Sequence, residues 1–157
     1  YDFTNSAAPT KLQASDKQSN DEFGYSVAIS NDGNTIAVGA PYSDYYSYNN
    51  SGAVYIFTKS NGSWSQQAKL VTSDAYNWSK FGWSVAISHN GNIIVAGAPG
   101  DLTNAGSAYV FTRSGSTWSQ EQKLMVGCDN FWGFLDPHSP TPLRSWAFHH
   151  YVRNLKQ

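Results

Sequence analysis

The chain has 157 residues, with ten Lys and Arg against eleven Asp and Glu, for a formal net charge of −1. Only 13% of it is charged, so it carries no basic footprint for nucleic acid. No stretch reads as a membrane span or a basic–apolar leader, and a single cysteine, Cys128, excludes an internal disulfide framework.

In chain order, Tyr1-Asp2-Phe3-Thr4 resembles Tyr55-Ile56-Phe57-Thr58, so residues 1–10 are expected to supply part of an outer strand. Phe23–Ser30 alternates Val27 and Ile29 with small neighbours and predicts a first strand. Asn31-Asp32-Gly33-Asn34 is a hairpin turn signal. Thr35–Ala40, almost continuously apolar, predicts a second strand buried on both faces. Ala53–Thr58 is the third, and Ser60-Asn61-Gly62 turns the chain into a fourth at Trp64–Val71.

The same text then returns. Residues 23–41, FGYSVAISNDGNTIAVGAP, reappear at 81–99 as FGWSVAISHNGNIIVAGAP. Residues 52–70, GAVYIFTKSNGSWSQQAKL, reappear at 106–124 as GSAYVFTRSGSTWSQEQKL. Phe23 and Phe81 are 58 apart, whereas Gly52 and Gly106 are 54 apart, so the first copy holds four extra residues between Pro41 and Gly52. Loops absorb insertions while strands keep their length. Four antiparallel strands repeated in tandem describe propeller blades, and Val27, Ile29, Val85 and Ile87 are expected to be buried between them.

Beyond residue 124 the pattern stops. Pro137, Pro140 and Pro142 rule out a regular central strand, and residues 125–157 read as an irregular tail. Phe148, Tyr151, Val152 and Leu155 stand at helical spacing and predict a short helix over 145–156.

Phe23-Gly24 with Gly39-Ala40-Pro41, and Phe81-Gly82 with Gly97-Ala98-Pro99, resemble FG-GAP repeats over residues 11–124. The resemblance implies an all-β fold of about two blades (repeats about 11–68 and 69–122) from a seven-bladed propeller like the ligand-binding head of integrin alpha subunits. It also implies an extracellular or cell-surface address. Two blades leave apolar faces uncovered, so the chain is expected to be a fragment of a longer one or to self-associate through its open faces.

Candidate sites are few. The resemblance implies calcium in the turn between the first two strands, but Ser30-Asn31-Asp32-Gly33-Asn34 holds one carboxylate and Ser88-His89-Asn90-Gly91-Asn92 none. Calcium takes six to eight oxygen ligands and gains affinity with their charge, so Asp32 is read as a turn former and no metal or cofactor is expected. His138, His149 and His150 with Cys128 match no compact zinc motif. No nucleophile or acid–base motif appears, so no enzyme activity is expected.

The enlarged loop is the remaining candidate, with Tyr42, Tyr45, Tyr46 and Tyr48 set among Ser, Asp and Asn. Rigid amphipathic rings beside small hydrogen-bonding residues make a contact patch for a protein or glycan ligand. Trp78 and Trp83 are expected to be core residues, with membership of a similar contact rim as the alternative. Asn49, Asn61 and Asn77 head Asn-x-Ser sequons in predicted loops and are candidate glycosylation sites. The expected function is a non-catalytic adhesion or recognition module, with a structural segment of a larger secreted protein or enzyme as the alternative.

Overall fold

Each repeat folds outward from its turns. In the computed structural model, which describes residues 10–125, Ser30 Oγ donates to Asp32 Oδ1 and Asn34 N donates to the same oxygen at 3.0 Å. In the second copy Ser88 Oγ donates to Asn90 Oδ1 at 2.8 Å and Asn92 N to that oxygen at 3.1 Å. A short side chain two residues after the Ser locks the turn, and carboxylate or amide serves equally. The outer strand expected over 1–10 falls almost wholly, and the 145–156 helix, His138, His149, His150 and Cys128 entirely, outside the described residues.

These turns join β1 (Ser26–Ile29) to β2 (Thr35–Ala40) and β5 (Ser84–Ile87) to β6 (Ile93–Ala98). β3 (Ala53–Ser60) and β4 (Ser63–Leu70) complete the first sheet; β7 (Ser107–Ser114) and β8 (Thr117–Met125) complete the second. Both sheets are antiparallel, in the order β1-β2-β3-β4 and β5-β6-β7-β8. They are two propeller blades. One helical turn, α1 (Asp101–Asn104), fills the loop after β6.

The registers repeat as the sequence does. Ser26 faces Gly39 and Ser84 faces Gly97, while Thr35 faces Thr58 and Ile93 faces Thr112. The first strand starts three residues later than its pattern suggested, because Gly24 N is tied to Gly39 O and Gly82 N to Gly97 O, both at 3.0 Å, ahead of the ladder. A bulge recurs too, between Ile56 and Phe57 and between Val110 and Phe111.

Between the blades lies the core. Ala37, Val54, Ile56 and Leu70 of the first meet Phe81, Ile94, Ala96 and Phe111 of the second, and Val85 and Ile87 pack at its margin. Gly39 shows why the motif needs a residue without a side chain. A Cβ there would sit 2.0 Å from Gly82 O, the carbonyl that accepts a 2.7 Å hydrogen bond from Ser26 Oγ. Phe-Gly of one repeat therefore docks onto Gly-Ala-Pro of the repeat before it.

One expectation is corrected. Val85 and Ile87 are partly buried between the blades, but Val27 and Ile29 are 66% and 57% exposed. A strand pattern identifies the apolar face; only a preceding blade would cover it. With Leu12, Phe23, Ile36 and Val38 they line an open apolar concavity of about 570 Å³.

Candidate functional site

The loops that leave and enter the strands meet along one inter-blade rim, and each is fixed from below. In the first blade Tyr55 on β3 donates to Asp16 at 2.9 Å, and Lys69 on β4 donates to Asp16 at 2.6 Å. In the second, the single Tyr109 hydroxyl proton is shared between Asp74 at 2.9 Å and Asp101 at 2.8 Å, and Lys123 pairs with both carboxylates. These latches tie the segment before each blade to its third and fourth strands. Burial pushes both phenols up, and the aspartate partners reinforce it. Burial would raise Asp16 and Asp101, yet hydrogen bonds from Lys69 and Lys123 first, with the phenols behind them, outweigh it and hold both carboxyls low.

The second latch has one carboxylate more, because Asp101 stands where the first blade has Ser43. Sequence reasoning passed over the latch. Its signal was present in the Ser15-Asp16 and Ser73-Asp74 pairs, 58 residues apart.

On this footing the tyrosine loop rises as a tight hairpin. Tyr45 and Tyr48 exchange backbone hydrogen bonds at 3.1 and 3.0 Å around a tip of Tyr46 and Ser47. Tyr46 is 87% exposed and meets Tyr45 edge-on at 4.5 Å, while Tyr48 is exposed beside them. Tyr42 lies apart, at the loop's base. The Lys80 ammonium sits 5.3 Å from its ring and 5.4 Å from that of Trp83, and Tyr25 lies against Trp83 at 4.5 Å. Four predicted tyrosines thus divide into a hairpin group of three, with Tyr46 and Tyr48 exposed and Tyr45 half-buried, and one ring built into a cation–π stack.

Trp83 is half-buried in that stack. Trp78 is not a core residue as expected: it is 56% exposed. Its backbone is held, with Trp78 N donating to Asn49 O at 2.9 Å, Lys80 N to Asn50 O at 3.1 Å and Phe81 N to Ser51 O at 2.9 Å. Gly100 lies so close beneath that a Cβ would come within 1.8 Å of Trp78 O. The tyrosine loop and the approach to the second blade are therefore zipped together.

Between them and residues 18–21 opens a polar cleft of about 330 Å³. Trp78 and Tyr42 give it aromatic surface, and Asp21, Asp44, Asn49 and Asn50 give it polar surface. Tyr45, Tyr46 and Tyr48 do not line it. No local pattern in the sequence marked Gln18, Asn20 or Asp21 as neighbours of the enlarged loop; only the fold brings them there.

The three sequon asparagines are exposed in turns. Asn77 Oδ1 already accepts from Asn49 N at 2.8 Å. Asp32 is engaged in its turn, where hydrogen bonds from Ser30 and then Asn34 hold its carboxyl low. Among the described residues no three His, Cys, Asp or Glu side chains gather to hold a metal ion, and no helix is long and apolar enough to cross a membrane.

The model of one family, described as the FG-GAP repeat, matches residues 8–57 and again 64–111, more than half of the chain. The first match runs from residue 8 into β3, and the second starts in β4 of the first blade and runs into β7 of the second. No curated protein matches the chain.

Proposed function

This chain belongs to the FG-GAP repeat family, and from that premise we propose that it is a non-catalytic recognition module of the extracellular space or cell surface. Repeats of this family are typical of adhesion and recognition propellers, are common in extracellular proteins and are generally non-catalytic. The partner is a protein or glycan, engaged by loops raised on rigid blades. The observation that supports this most is the tyrosine hairpin. Tyr46 stands 87% exposed beside Tyr45 and Tyr48, apolar surface that a partner would remove from water.

The test is binding of the full chain to arrays of extracellular proteins and of glycans, with Tyr45→Ala/Tyr46→Ala as the control. Few interface residues dominate affinity, so the double substitution should weaken binding by about 2 kcal/mol or more. The melting temperature should stay within a degree or two, because neither ring belongs to the core. Unchanged binding with a lowered melting temperature would make the tyrosines packing residues.

A second reading is favoured by the open concavity around Val27 and Ile29, which has the shape and polarity of a blade-to-blade contact. On that reading the two blades are a structural segment of a larger secreted protein or enzyme. In a eukaryotic secretory route Asn61 is the best placed sequon, since Asn49 and Asn77 are joined to each other and Asn61 stands clear in its hairpin turn.

A further inference from the structure

The positive φ of Trp78 recurs from the equivalent position of the first repeat. Asn20, 58 residues earlier, has a φ of 71° against 66° at Trp78, and Glu22 and Lys80 match at 53° and 56°. The left-handed turn is therefore a property of the repeat, needed in the approach to each Phe-Gly pair. Asn enters that region at little cost, whereas a bulky side chain there is an outlier. The indole also bears a hydration penalty, being 56% exposed. Among the described residues its N–H has no acceptor and its ring meets no other ring or cation. Among the described residues no hydrogen bond, ring contact or cation of the indole offsets these two costs.

The surroundings supply what such a ring can use. Trp78 borders the 330 Å³ cleft together with Gln18, Asn20, Asp44, Asn49 and Asn50. The side-chain amides of Gln18, Asn20, Asn49 and Asn50 make no hydrogen bond among the described residues, and each presents both a carbonyl and an NH₂. One oxygen of Asp44 accepts from Asn50 N at 2.7 Å and keeps the loop in place. The cleft is thus preformed and holds unused donors and acceptors of both kinds around one flat apolar face.

That chemistry suits one ligand class. A pyranose has a C–H face to lie on an indole and a rim of hydroxyls, each a donor and an acceptor, to meet amides and a carboxylate. An anion would face Asp21 and Asp44, and no Lys or Arg lines the cleft. An apolar side chain would desolvate the amides without partners. We infer that the cleft binds a neutral saccharide, with one pyranose ring stacked on Trp78 and its hydroxyls held by Asp44, Asn49, Asn50 and Gln18. The inference rests on the recognition reading above and deepens it by naming the ligand class.

The test uses the full chain produced without glycosylation, an array of neutral oligosaccharides beside an array of extracellular proteins, and calorimetric titration of the best saccharide. Trp78→Asn is the decisive variant, because it installs the residue that Asn20 already shows to fit this backbone. It should reduce saccharide affinity by at least about tenfold while leaving the melting temperature equal or higher. Asn49→Ala should weaken binding in the same direction. Equal saccharide binding by Trp78→Asn overturns the inference, and so does a wild-type chain that binds no neutral saccharide. If that chain instead binds a protein and loses it on Tyr45→Ala/Tyr46→Ala, the saccharide cleft falls and recognition by the hairpin stands. Binding to neither array overturns both.

Discussion

At the residue scale, Asp101 is the clearest difference between two nearly equal units. It is 3% exposed, accepts from Tyr109 at 2.8 Å and pairs with Lys123 at 2.7 Å, whereas Ser43 in the first blade meets Lys69 only at 3.4 Å. Hydrogen bonds to charged groups contribute about 1.5–3 kcal/mol, so Asp101→Asn should lower stability by about that much. Asp101→Ser should be milder, because Asp74 remains to hold Lys123 as Asp16 holds Lys69. The pH dependence has a definite sign. A carboxyl held below its unfolded value near 3.9 contributes stability above that value and loses it as pH falls through the folded one. Lys123 is held above its ordinary value by Asp101 and Asp74 against the opposing pull of burial, so its contribution is present below about pH 10 and fades as pH rises beyond. Thermal melts from pH 2 to 11 should show a neutral plateau, with an acid limb that Asp101→Asn flattens. A limb of unchanged slope would assign the acid sensitivity to other carboxyls.

At the element scale, the paired strands β1 and β5 let one sequence be read in two environments. Ile29 and Ile87 occupy the same register position, opposite Ile36 and Ile94. Ile29 is 57% exposed, while Ile87 packs against the inter-blade core. Ile87→Ala should therefore cost about 1–2 kcal/mol, at or below the lower end for truncating a buried Ile, and Ile29→Ala should stay within about 0.5 kcal/mol. Denaturant midpoints of the two variants would decide; equal losses would mean that something covers β1. The same pair marks how far the sequence could be read. Strand number, pairing and the apolar face were legible because a repeated motif fixes register twice over. Burial of Val27 and Ile29 was not, since periodicity identifies a face and is silent on its neighbour. The exposure of Trp78 was also hidden: the repeat aligns it with Asn20, and that alignment, rather than its size, was the informative feature. The bulges at Ile56 and Val110 left no mark, because one unpaired residue changes the backbone path without changing composition.

At the scale of the whole molecule, the two blades together demonstrate how a third surface would be covered. The face of the second blade that carries Val85 and Ile87 is closed by Ala37, Val54, Ile56 and Leu70 of the first. The equivalent face of the first blade, with Val27 and Ile29, has the same chemistry and lies open. Its complement would be the far side of the second blade, where Val95, the counterpart of Ala37, is 37% exposed. A contact between two such different surfaces is head-to-tail, so it joins copies into rings or open chains instead of closed two-fold dimers. The purified 157-residue chain should accordingly self-associate as its concentration rises, with a mass distribution extending beyond the dimer. Val27→Asp with Ile29→Asp places two charges on the docking face while leaving the interior untouched, and should return the chain to a monomer. Light scattering coupled to size exclusion measures both. A wild-type chain that stays monomeric at high concentration would mean that the concavity around Val27 and Ile29 is already filled from within the same chain.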